Sequence, residues 1–209
     1  MKPKQQELPL KSWGGARRGA GRKPKGGRKN VPHRPRRRFR RGALHITTRV
    51  RPEVWNLRSH RCFRALRRAF AGGCARFGFR LIHFSVQGNH LHMIVEAPDA
   101  ETLGRAMKGL EVRMARALNR VMRRRGSVFA DRYHAHLLTS PREAANAVRY
   151  VLENWRVHKL CAPGADEHSV DPYCSTAWPD THPSLTVLAE GWMLTIGIRS
   201  TERRMRATG

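Results

Sequence analysis

Residues 79–97 read FRLIHFSVQGNHLHMIVEA. The first nine residues alternate apolar and polar positions and are rich in β-branched and aromatic side chains, so a strand is predicted over 79–87. Gly88-Asn89 is a turn pair, and HLHMIVEA predicts a returning strand over 90–97, ended by Pro98. This is the clearest hairpin in the chain. A strand has a side-chain period of two, so His90 and His92 point to one face while Leu91 packs into the other.

The neighbouring segments extend the pattern. ALHITTRV, residues 43–50, predicts a β-branched strand closed by Arg51-Pro52. Leu57, Cys62, Phe63, Leu66, Ala69 and Phe70 fall near helical spacing over 56–71, with Gly72-Gly73 behind them. A long helix is predicted over 100–124, with Leu103, Met107, Leu110, Met114, Leu118 and Val121 on one stripe and Gly126 as its stop. A fourth strand lies within 128–138. Ser140-Pro141 opens another helix, with Glu143 in its first turn, running to about residue 160. The order β-α-β-β-α-β, then a helix, predicts an α+β chain: a ferredoxin-like split βαβ sandwich on an antiparallel sheet, with an added C-terminal helix. Residues 161–209 carry scattered Pro, Gly and Trp without a period and read as an extension of unassigned structure.

Charge narrows the partner. The chain holds 42 Lys+Arg against 15 Asp+Glu, a net charge of +27 over 209 residues. Arg far outnumbers Lys and suits bidentate phosphate contact. A polyanion is the expected partner, and nucleic acid the leading one. Residues 1–42 contain six Lys, ten Arg and one Glu, so +15 of the charge sits in a segment too poor in large apolar residues to order itself alone. Within it, Arg17, Arg18, Arg22 and Lys23 lie in GGARRGAGRKPK, which resembles an AT-hook. Such an arm enters a narrow A·T minor groove, or it contacts phosphates without preference. The folded remainder is basic as well. Four cysteines, none in a CxxC pair, indicate neither a zinc ribbon nor a redox motif. No apolar run reaches membrane length and no signal peptide is visible, so a cytoplasmic, nucleoid-associated protein without membrane contact is expected.

Two constellations carry possible chemistry. His90 and His92 on one strand face can bind a divalent cation, or simply share a polar surface. On a helix, Tyr150 and Asn154 share a face about 6 Å apart along the axis. If that face lies over the histidines, Asn154 adds an oxygen ligand and Tyr150 points at whatever is bound. Two nitrogens and one oxygen suit Mg2+ or Mn2+ with room for phosphate oxygens. Alone, a tyrosine and an asparagine at this spacing are as compatible with a capped buried phenol. A second pair, His134 and His136, also sits on a predicted strand. Arg132 precedes it by two and brings a cation to the same face, which favours DNA contact or a structural role. His158 continues the Tyr150 face as a ligand, a phosphate contact or plain surface. Arg123, Arg124 and Arg125 complement a helix C-terminus and can equally clamp a DNA stem. Trp155 and Tyr133 can stack on bases, with core packing the default.

Taken in order, NHLHMIVEA, a long basic helix, GSVFADRYH and then VRYVLEN on a later helix resemble the single-tyrosine HUH transposases, and within them the REP-associated tyrosine transposases. The resemblance covers about residues 43–160. It implies that the added helix is catalytic, with Tyr150 attacking a scissile phosphate to form a 5′-phosphotyrosine and release a 3′-OH. It also implies that His90, His92 and Asn154 hold the metal. A free tyrosine has a pKa of about 10, so the phenol needs help at neutral pH. The expected substrate is single-stranded DNA or a hairpin with a palindromic stem, acted on by a homodimer or a monomer. This chain departs from the family at Trp155, where Pro often follows the Asn, and at Gln87-Gly88, where Met-Pro is frequent.

Three other readings compete. A DNA-binding protein that no longer cuts, such as a repressor or architectural factor, would have no use for four intact reactive positions. An RNA-binding protein shares the charge but leaves the same constellation idle. A hydrolase of small phosphoesters does not need so large a cation excess.

Overall fold

The computed structural model describes residues 38–76, 78–157, 169–179 and 184–199. The expected Arg17, Arg18, Arg22, Lys23 and His158 lie outside these residues.

Five antiparallel strands form one sheet: β1 (Arg40–Arg49), β2 (Ala75–Arg76), β3 (Phe79–Val86), β4 (His90–Asp99) and β5 (His134–Leu137), in the spatial order β2-β3-β4-β1-β5. Three helices join them: α1 (His60–Ala71), α2 (Ala100–Val121) and α3 (Pro141–Val157). Leaving aside the two-residue β2, this is the split βαβ arrangement expected from the element order. The hairpin forms as read, with Gln87 N–H donating to the His90 carbonyl at 2.9 Å across the turn.

Apolar residues of one sheet face, among them Leu44, Ile46, Phe84, Leu91, Met93 and Val95, pack against Leu66 and Phe70 of α1 and Met107, Leu110 and Met114 of α2. The Phe70 and Phe84 rings stack 4.5 Å apart. The opposite face receives α3. Its Val151 is fully buried with Ile82 and Ile94, and a bulge between Leu81 and His83 in β3 accompanies the Ile82 contact.

Several element ends differ from the sequence expectation. β1 begins at Arg40, three residues before the apolar run, because backbone pairing with β4 continues out to Asp99. β4 runs through Pro98, which lies opposite Arg41, a residue that leaves the ladder with φ +34°. α1 starts at His60, where the Ser59 hydroxyl accepts from Cys62 N–H. Leu57 is fully buried but belongs to the preceding turn. α2 ends at Val121, before Gly126. Arg123 takes the left-handed position with φ +50°, Arg124 N–H reaches the Asn119 carbonyl at 2.9 Å and Arg123 N–H the Arg120 carbonyl at 3.3 Å. That is a Schellman end with arginine where glycine is usual.

Residues 169–179 and 184–199, part of the segment unassigned by periodicity, pack along the domain. Val86 N–H donates to the Tyr173 carbonyl at 3.0 Å and Val187 N–H to the Leu81 carbonyl at 2.9 Å, so the segment follows β3. Asp171, whose side chain is inaccessible, takes two 2.8 Å bonds from the Arg58 guanidinium. Glu96 accepts from Glu190 and Gly191 N–H at 3.0 and 2.8 Å. A Cβ at Gly191 would sit 2.7 Å from the Glu96 Oε1, so a larger residue there would make the carboxylate shift. Met193, Leu194 and Ile198 then cover Ala43, Leu138 and Ala144, fixing the start of α3. No described helix is long and apolar enough to cross a membrane.

Candidate active site

Strand register collects polar side chains on the face under α3. Thr47 of β1 lies opposite His92 of β4 and His134 of β5, and His45 lies opposite His136. Ser85 of β3 is the partner of His92 on its other side. These residues alternate with core positions such as Leu44, Ile46, Leu91 and Met93, so one set of strands builds both the core and the site.

His90 and His92 stand together, their ring centroids 4.8 Å apart and perpendicular. His90 Nδ1 is 2.8 Å from Asn89 Oδ1, which leaves Nε2 as its outward atom. His92 is buried, and its Nδ1 lies 3.2 Å from both Thr47 Oγ1 and His45 Nε2. A proton on His92 Nδ1 shared with these two leaves the Nε2 lone pair for a cation; such partners orient ligand imidazoles in metal sites. His45 is well suited to accept. Burial, helped by repulsion from His136 and His134, lowers its pKa to about 4, so the ring is neutral near pH 7.

α3 runs from the Glu96 end of β4 toward its His90 end, and Val151 anchors it on Ile94 and Ile82. The residue before that anchor, Tyr150, emerges at the edge of the site with 44 % of its surface exposed. Its ring is 5.2 Å from His92 and 5.8 Å from His45, edge-on to both. One turn later Asn154 is 1 % exposed, and neither its carbonyl oxygen nor its amide nitrogen finds a hydrogen-bond partner among the described residues. Such a group costs about 1–3 kcal/mol when buried unmet. A buried amide oxygen in this state is suited to hold a cation. Among the described residues no three His, Cys, Asp or Glu side chains form a metal cluster; the Asn154 amide is a donor of another kind whose chemistry would fit beside two imidazoles.

The structure therefore brings Tyr150, His90 and His92 together, with Asn154 buried one turn further along α3, and leaves other candidates elsewhere. His136 is tied to Glu143 at 2.6 Å, and Glu143 also accepts from Thr139 N–H at 2.6 Å. That backbone bond, with the His136 contact, holds the Glu143 carboxyl down at about 2. His134 and His136 share the sheet face with His92 one strand beyond β1, mostly exposed. Trp155 is buried, as is Tyr133, so neither ring presents a stacking surface. The Arg156 guanidinium lies 4.6 Å over the Trp155 ring, which shows what replaces proline after Asn154: a packed indole. Arg123, Arg124 and Arg125 line one recess of about 550 Å³ with Arg116 and Arg120 at the end of α2. Arg124 also donates to the Ser127 carbonyl at 3.0 Å and so holds the loop. Arg132 is exposed in the loop before β5. His45, Thr47 and Ser85 were not singled out by sequence; the available signal was their alternation with buried positions.

Comparison with known proteins agrees with this architecture. The family model for IS200-like transposases matches residues 41–154, more than half of the chain and the whole span from β1 to Asn154. No curated protein matches. Among solved structures, the chain is similar to a REP-associated tyrosine transposase bound to a REP hairpin, with 16 % identity, a TM-score of 0.53 and coverage of 63 % of this chain and 76 % of that one. It is also similar to a protein of Deinococcus radiodurans described as a candidate transposase, with 14 % identity, a TM-score of 0.40 and coverage of 60 % and 97 %. The first likeness is one of fold, and the family match spans the strands and the helix that assemble the site. With Tyr150 and the histidine strand both inside the matched span, the chain belongs to the IS200-like transposase family and is a DNA transposase.

Proposed function

We propose that this transposase cuts and rejoins single strands of DNA, in single-stranded or hairpin form, through a covalent 5′-phosphotyrosine at Tyr150. The observation that supports this most is an exposed phenol 5.2 Å from a buried histidine that pairs with a second one. In this reading the Tyr150 oxygen forms a bond to the scissile phosphorus while the bond from phosphorus to the 3′ oxygen breaks. The phenol proton passes to water and the departing 3′ oxygen takes one up. Reversal by a 3′-OH restores the phenol and reseals the strand, and because the phosphodiester energy stays in the link, no nucleotide cofactor is needed.

His90, His92 and Asn154 would hold a divalent cation, Mg2+ or Mn2+. Bound there, it supplies positive charge to the phosphate oxygens as the transition state forms. Thr47 and His45 keep His92 in one orientation, and Val151 keeps the tyrosine turn of α3 over it. The exposed side of Tyr150 admits DNA. The arginine recess at the end of α2 and the basic N-terminal residues offer contacts to the phosphate backbone. The likeness to a REP-associated transposase suggests hairpins flanking the gene as the first DNA to try.

The test is a denaturing gel with labelled flanking hairpins and Mn2+ or Mg2+. A covalent protein–DNA band, mapped by mass spectrometry to Tyr150, is expected. Binding without an adduct on several hairpins and with both metals would favour a DNA-binding protein that does not cut. Affinity for single strands should fall with salt by a log–log slope of about −0.7 per phosphate neutralised; an affinity indifferent to salt would contradict the charge argument. Removal of residues 1–36 should weaken binding and leave the cut position unchanged, as read on the same gel.

A further inference from the structure

Gln87 ends the first arm of the hairpin, and its backbone N–H bonds to the His90 carbonyl at 2.9 Å. Its side chain turns back along the strand. Gln87 Nε2 donates to Ser85 Oγ at 2.7 Å, and Ser85 is the cross-strand partner of His92. Cross-strand neighbours on one face have Cβ atoms about 5 Å apart. The amide is thus bonded to the residue paired with His92, and its own backbone is bonded to that of His90. It is 1 % exposed, and its carbonyl oxygen has no hydrogen-bond partner among the described residues. Ser85 holds the nitrogen, so the oxygen is the end of the amide left for another partner.

Two buried amides, Gln87 next to the hairpin turn and Asn154 one turn after Tyr150, thus carry unmet polar atoms. A buried carbonyl oxygen in that state is either a standing cost or the place of a ligand. Its chemistry selects the ligand. Carbonyl oxygens are hard donors suited to Mg2+ and Mn2+, whereas two imidazoles alone favour softer ions. We propose that Gln87 Oε1 is a further protein ligand of the divalent ion at His90, His92 and Asn154. The proposal rests on the metal reading of that site. It makes the protein's donor set two nitrogens and two oxygens with no net charge, so the negative charge that completes the site comes from DNA phosphate.

The test is Mn2+ titration of the full chain, followed by the electron paramagnetic resonance signal of free Mn2+, with and without a single-stranded oligonucleotide. Gln87→Met is expected to weaken Mn2+ binding by tenfold or more; it removes the unmet oxygen and the bond to Ser85 together, and its melting temperature without metal reports whether the fold is kept. Gln87→Glu, which puts a carboxylate oxygen in the same place, is expected to bind Mn2+ more tightly than wild type. The oligonucleotide should tighten Mn2+ binding, and Mn2+ should tighten oligonucleotide binding by the same factor. If Gln87→Met binds Mn2+ like wild type while His92→Ala does not, the glutamine proposal is overturned and the histidine site stands. If both bind like wild type, the metal reading of the site fails with it. Should the methionine variant not fold, the glutamate variant decides: unchanged or weaker Mn2+ affinity would overturn the proposal.

Discussion

Tyr150→Phe should eliminate the covalent protein–DNA adduct and lower strand cleavage by about 10⁴-fold or more, the scale seen when a nucleophile is removed from an active site. The substitution takes away one oxygen and little else. Tyr150 is 44 % exposed, and its ring contacts with His92 and His45 are those a phenylalanine also makes. Melting temperature and DNA affinity should therefore stay near wild type, and this separates loss of chemistry from loss of fold. Cleavage persisting in Tyr150→Phe, with no adduct in either protein, would mean that water and not tyrosine attacks the phosphate. The site would then be that of a hydrolase. His92→Ala makes a useful companion, because it should lower cleavage and also lose the Thr47 and His45 contacts. It is the less clean of the two variants.

Asp171→Ala carries the largest expected effect on stability. The carboxylate is fully covered, both of its oxygens meet Arg58, and Arg58 also donates to the Val86 carbonyl at 3.0 Å and lies 4.2 Å over the Tyr173 ring. Removing the acid leaves a largely buried guanidinium without its counter-charge, which costs about 3–5 kcal/mol. Urea unfolding should show this as a lower midpoint. Early proteolysis within residues 169–179 would show that the C-terminal segment detaches first. Replacing both partners with apolar residues, Arg58→Met with Asp171→Leu, should recover much of the loss, since the strain lies in the unpaired charge. A single variant as stable as wild type would mean that the pair contributes nothing to holding the segment.

How much of this was legible in the chain follows from the range of the interactions. The hairpin was readable because its signal is local: alternation on both arms and a two-residue turn. The same alternation gives the shared face of His90 and His92, and helical spacing gives the shared face of Tyr150 and Asn154. Whether these faces meet depends on α3 crossing the sheet, which the residues alone left open and the family resemblance implied. The C-terminal segment had no such signal. Its bonds are single contacts between distant residues, such as Asp171 with Arg58, 113 positions apart, and they leave no period in the sequence. Gly126 looked like the stop of α2 because glycine tolerates the left-handed region. Arg123 takes that conformation instead, and two backbone bonds close the helix around it. His45 and Thr47 were hidden in a strand that reads as ordinary β-branched sequence until its register against β4 is known. Gln87 stood out only as a departure from a family pattern, and its buried oxygen is visible only in three dimensions.

The C-terminal wrap has a consequence for how many chains make a working unit. α3 is covered at its start by Met193, Leu194 and Ile198, and along its length by Val187 and Ala189, all from the same polypeptide. A tyrosine helix held this way cannot be lent to a neighbouring copy without first peeling away that cover. Each polypeptide should then be self-sufficient for cleavage. Tyr150→Phe chains mixed with His92→Ala chains should show no complementation at any ratio, even if the two copies associate on DNA. Recovery of activity in the mixture would mean that the helix exchanges between copies and that the wrap opens to let it.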